Sequence, residues 1–161
     1  MSELRVPIAG AGRNRPALLF AVIGLACVVA GGLVAAVTAH APTQHASWAA
    51  AYLVLVAGVA QVGLGAGVAA LAPQPPTPRV WAASLLGWNA GNAAVIAGTV
   101  GEVVALVDVG GVLLVLALVL MIWTVRGAAT GRRWLLWGFR VLVVVLLVSI
   151  PIGLVLAQLS S

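Results

Sequence analysis

The side chains able to do acid–base or metal chemistry in this chain are few. They are His40, His45, Glu102 and Asp108, with Glu3, Cys27 and Tyr52 beside them; the eight basic residues are all Arg. Without Lys there is no amine for Schiff-base chemistry, and one cysteine excludes an intrachain disulfide or a CxxC redox pair. Two imidazoles and two carboxylates are chemically adequate ligands for Zn or another divalent ion. The histidines, however, stand five positions apart with Pro42 between them, a spacing of no standard metal motif, and a second loop would have to bring Glu102 and Asp108 to them. Free surface side chains are the preferred reading, with an outer-face metal site as a minor alternative. Haem ligation fits less well, because both histidines fall in one loop. The usual catalytic constellations lack parts: no Ser or Cys lies near a His inside an apolar run, and no pair of carboxylates is buried. The glycines 63, 65 and 67 follow no strand, so they are no phosphate loop. No enzyme activity and no cofactor are expected.

The polar residues that stand inside apolar runs are more informative. In the stretch 81–102, WAASLLGWNAGNAAVIAGTVGE, Ser84, Trp88, Asn92, Thr99 and Glu102 recur at steps of three, four or seven and so share one helical face, with Asn89 on its flank. Gly87 with Gly91, and Ala94 with Gly98, are small-xxx-small pairs, and Gly63 and Gly67 leave one side of the preceding helix almost bare, so other backbones can approach there. Gln61, Asn89 and Asn92 then read as hydrogen-bond glue between helices, each contributing on the order of 1 kcal/mol. The competing reading makes them the lining of a polar cavity for a small solute or ion, since polar groups inside a membrane are costly without a use. Glu102 reads as an ionised residue at the outer boundary, and Asp108 as the polar residue of a turn.

The elements that position these residues follow from composition. With 63% hydrophobic and 7% charged residues and a mean hydropathy of +1.20, a soluble globule would leave far more apolar surface than its core could hide. The solvent is lipid. Apolar runs predict helices at about 16–38, 48–71, 80–107, 109–125 and 134–156, each near the ~20 residues that cross a bilayer core. Residues 80–125 as one helix would be about 69 Å long, so a hairpin is expected at Asp108, beside Gly110 and Gly111. Ser47 is the expected cap of the second helix, Trp48 and Tyr52 its interfacial anchor, and four prolines in 72–79 stop it. Pro151 is expected to kink the last helix.

Residues 1–15 read as a disordered cytoplasmic tail ahead of a single membrane domain, 16–159. A signal peptide competes for the first run, but its apolar part exceeds a 7–15-residue core of such a segment. Five spans with the N-terminus cytoplasmic and the C-terminus outside put every Arg inside and His40, His45, Glu102 and Asp108 outside. The chain is therefore expected to be an all-α, polytopic bundle of five transmembrane helices in the bacterial cytoplasmic membrane. Its expected role is non-catalytic, as an accessory or structural subunit packing against other membrane subunits or copies of itself; the alternative is a small transporter or channel subunit with a polar site on the third helix. The expected partners are the bilayer and other membrane proteins. The small Arg groups belong to topology, and no nucleic-acid binding is expected.

Overall fold

The computed structural model describes residues 15–127 and 133–159, with side chains in the last helix as far as 149. Residues 1–14 of the expected tail and 128–132 of the loop lie outside the described residues, while Arg15, expected in the tail, already belongs to the first helix. Five helices account for the fold: α1 (Arg15–Thr38), α2 (Gln44–Leu71), α3 (Pro78–Val100), α4 (Val104–Thr124) and α5 (Arg133–Leu159). No strand occurs among the described residues. Three of the helices, α1, α2 and α4, are long and apolar enough to cross a membrane. The last helix runs on through Pro151.

Local chemistry sets the ends. Thr43, not Ser47, caps α2: its extended backbone precedes the helix and its hydroxyl accepts from Ala46 N at 3.2 Å. The helix therefore starts four residues before Trp48 and takes His45 into its first turn. Trp48 and Tyr52 stack one turn apart, ring centroids 5.0 Å. The middle of α2, Leu53–Ala60, is wound as a π-helix. Thr77 caps α3, with Pro78 in the first turn where its missing N–H costs nothing.

The hairpin between α3 and α4 is not at Asp108. It closes at 101–103, where Val103 N reaches back to Gly98 O at 2.8 Å and Glu102 takes a left-handed φ of 56°, the 6→1 closure of a helix end. The third helix thus stops at Val100, seven residues short of expectation, and Asp108 lies half-buried in the second turn of α4. Gly110 and Gly111, which looked like helix breakers, are interior packing positions. A methyl group on Gly110 would lie 2.8 Å from Gly91 O and from Val95 N, so these backbones touch.

Such contacts define the architecture. Without a hydrophobic force between helices in lipid, close van der Waals approach does the work, and glycine permits it. Gly24 of α1 meets Gly58 and Val62 of α2, and Gly31 meets Ala50 and Val54, an antiparallel pair. Gly98 meets Val107, Gly91 meets Leu114 and Gly87 faces Ala117, a second antiparallel pair. Gly63 against Leu142 and Gly67 against Phe139 seat α5 antiparallel to α2. The two hairpins join where the Phe20 and Trp81 rings meet edge to face at 5.4 Å. Around them lies one core that includes Leu64, Trp88, Leu114, Leu118, Met121 and Phe139.

With this pairing the ends of the bundle differ in charge. The starts of α1, α3 and α5 and the ends of α2 and α4 share one end, so all the described Arg residues, 15, 79, 126, 133 and 140, gather there. Glu102 and both histidines lie at the other end, with Asp108 one turn into α4 from it.

Candidate functional site

The polar groups of the interior stand at successive depths of the bundle. At the depth of the Phe20–Trp81 contact, the Phe20 side chain presses on Gly65 of α2, where an added methyl would lie 2.5 Å from its Cβ. One turn farther from the Arg end on α2 stands Gln61; two turns farther on α3 stands Trp88, and Asn92 follows a turn later. Helical side chains tilt toward their own N-terminus. Gln61 on the descending helix therefore tilts away from the Arg end, while Trp88 and Asn92 on the ascending one tilt toward it, and the offset of about 4 Å between Gln61 and Trp88 closes.

Gln61 and Trp88 are completely buried and Asn92 is 3% exposed. Gln61 Nε2 donates across helices to Phe20 O at 3.3 Å, which fixes the amide and turns Oε1 inward. Asn92 Nδ2 donates to Trp88 O and Asn89 Nδ2 to Leu85 O, both at 2.8 Å. The expectation of three inter-helix amide bonds is thus corrected: only Gln61 links two helices, and each Asn serves its own. The reason is that an Asn side chain reaches the i−4 carbonyl of its own helix without displacing a neighbour. Gln61 Oε1, Trp88 Nε1 and Asn92 Oδ1 find no partner within the protein. Each such group costs about 1–3 kcal/mol relative to a satisfied one.

The remaining expected seam residues are placed as follows. Gly91 is buried against α4, Gly87 packs more loosely there, and Gly63 and Gly67 face α5. These surfaces are used within the chain and do not await a foreign helix, because the hairpin register brings them against α4 and α5 first. Thr99 is half-buried two turns beyond Asn92. One contributor was not foreseen. Phe20 supplies the carbonyl that orients Gln61, and the signal for it was an aromatic one turn before Gly24 in an otherwise aliphatic run. Ser84, 3% exposed, lies on the buried face below Trp88, on the face its spacing predicted.

At the far end His40, His45 and Glu102 are exposed and Asp108 half-buried. Among the described residues no group of three His, Cys, Asp or Glu side chains could hold a metal ion. Compared with known proteins, the chain matches no family model, no curated protein and no solved structure.

Proposed function

We propose that this chain is a non-catalytic, five-span protein of the bacterial cytoplasmic membrane, its Arg end toward the cytoplasm, that packs as an accessory or structural subunit against other membrane proteins or copies of itself. The charge division between the two ends supports the orientation, since Arg is retained on the cytoplasmic side. The all-Arg basic set fits a GC-rich bacterial genome. That α3 also spans is supported by its length and by the burial of Ser84, Trp88 and Asn92, which leaves an apolar face outward.

That outward face carries the reading. On α3 the buried positions Trp81, Ser84, Trp88, Gly91 and Gly98 follow a 3–4 rhythm. Displaced by about half a turn, Ala83, Leu86, Ala90, Ala93, Ala97 and Val100 follow the same rhythm, and every one of them is exposed. A 3–4 seam of small residues is the surface against which a second helix packs closely with a left-handed crossing. After gentle solubilisation the tagged protein is expected to migrate as an assembly larger than one chain. Ala90→Leu with Ala93→Leu is expected to dissolve that assembly while leaving the unfolding midpoint in place. A wild-type protein that is strictly monomeric and free of partners would refute the reading.

A second reading, a small transporter or channel subunit, is favoured by the three unpartnered polar atoms of Gln61, Trp88 and Asn92. Reconstituted vesicles that pass small solutes in a manner abolished by Asn92→Leu would support it. Vesicles no leakier than protein-free ones would dispose of it.

A further inference from the structure

The central residue of α3 is an asparagine. Asn89 lies about 16 Å from either end of Pro78–Val100, which is the middle of a ~30 Å hydrocarbon core when this helix spans. Asn92 is buried inside the bundle, whereas Asn89 is only half-buried and reaches the surface that α3 turns to lipid. One of its amide hydrogens goes to Leu85 O at 2.8 Å. The second N–H and Oδ1 have no hydrogen-bond partner among the described residues. No water serves them at that depth, and a polar group left unpaired in hydrocarbon is strongly disfavoured.

Asn89 stands in a seam. Ala82, Leu86, Asn89, Ala93, Ile96 and Val100 follow one another at alternating steps of four and three, the strict repeat along which two helices interlock with a left-handed crossing. Asn89 and Ile96 are half-buried and the other four exposed, while α4 takes the opposite side of the helix, at Gly87, Gly91 and Gly98. A single Asn in such a seam sets its register, because the amide must meet another polar group at its own level. An amide both donates and accepts, so it is its own complement. A second copy of this chain carries that complement at the required depth, since all copies insert in one orientation and their α3 helices then meet in parallel.

We propose that α3 pairs in parallel with α3 of a second copy about a two-fold axis at Asn89, the two Asn89 amides exchanging hydrogen bonds across it. This pairing rests on the reading above, in which α3 spans and packs through its outward face, and it names the partner. Full-length protein carrying donor or acceptor dye at its N-terminus is reconstituted in phosphatidylcholine vesicles, and energy transfer is followed as added lipid dilutes it. Asn89→Leu is expected to weaken association by roughly ten-fold, and Asn89→Gln to hold it within about three-fold of wild type. Asn92→Leu, which removes an amide buried inside the chain, is expected to leave association unchanged. In a Cys27→Ala background, oxidation of the membranes with copper phenanthroline is expected to join copies carrying Ala93→Cys. Val112→Cys, exposed on α4 at the depth of Ala93 by the pairing of Gly91 with Leu114, is expected not to join. The cross-link retains Asn89, so it tests the pairing even where Asn89→Leu fails to fold. Association of Asn89→Leu as strong as that of wild type, or joining at 112 as readily as at 93, overturns the pairing and leaves the accessory reading standing. A gently solubilised assembly that holds one copy beside a different protein does the same. A wild type that is monomeric at every dilution and free of partners overturns both.

Discussion

Glu102 stands at φ 56° at the end of α3, in the left-handed region that disfavours residues with a Cβ by about 1–2 kcal/mol. It is also an acid beside exposed carbonyls at a helix C-terminus, where the dipole favours a cation. Glu102→Gly is therefore expected to stabilise the protein by about 1 kcal/mol after glycine's greater unfolded-state entropy is allowed for; an unchanged or lower unfolding midpoint in mild detergent would contradict this. The interior glycines make the opposite prediction. A methyl on Gly91 would lie 2.9 Å from Gly110 O, and on Gly98 2.7 Å from Val107 N, and backbone cannot yield as a flexible side chain does. Gly91→Ala and Gly98→Ala are each expected to destabilise by about 1–3 kcal/mol. Gly32 has nothing within 4 Å of such a methyl, so Gly32→Ala is expected to be neutral or to stabilise by up to about 1 kcal/mol. The three variants in one denaturation series separate close packing from helix propensity.

At the scale of the element, α3 is a helix with two opposed seams, one filled by α4 and the core and one bare. Its polar side chains do little to hold it there. Asn92 donates to its own helix and leaves Oδ1 unpartnered, so Asn92→Leu is expected to change stability by less than about 1 kcal/mol, in either direction. Trp88→Ala, which empties a completely buried site, is expected to cost about 3–5 kcal/mol. A loss on Asn92→Leu as large as that on Trp88→Ala would show that Oδ1 has a partner of real strength. The same helix shows what was legible in sequence. Composition and run length revealed helices throughout, and the 3–4 rhythm of Ser84, Trp88 and Asn92 identified the buried face of α3. The turn was misread because Gly110 and Gly111 punctuate a soluble chain, whereas between lipid-bathed helices they are contact points. The true turn at Gly101 and Glu102 continued the polar face of a helix and looked like part of it. Moving the turn from Asp108 to Glu102 shifts every pair across α3 and α4. Nor could sequence tell whether an amide bonds across helices or back to its own i−4 carbonyl, since both satisfy the same donor.

At the scale of the whole molecule, the antiparallel pairings of α1 with α2, α3 with α4 and α5 with α2 make the two ends chemically unlike, and the proposed orientation rests on this asymmetry. Each Arg held outside would have to be driven across the bilayer during insertion, whereas Glu102, Asp108 and the histidines carry no such bias. The orientation proposed above therefore has a direct measurement. Cys27 lies within α1, so a Cys27→Ala background leaves no native thiol to react. On it, Gln44→Cys reports the start of α2 and Gln74→Cys the exposed Pro-rich connection beside Arg79. In intact cells a membrane-impermeant maleimide is expected to label position 44 and spare position 74, which reacts only once the membrane is opened. Labelling of 74 alone from outside would invert the protein and put its Arg end on the outer face. Labelling of both from outside would mean that α2 does not cross at all. That outcome would make α3 enter the membrane from outside and would set the Arg residues at 79 and 126 on the outer face, against the charge rule on which the orientation rests.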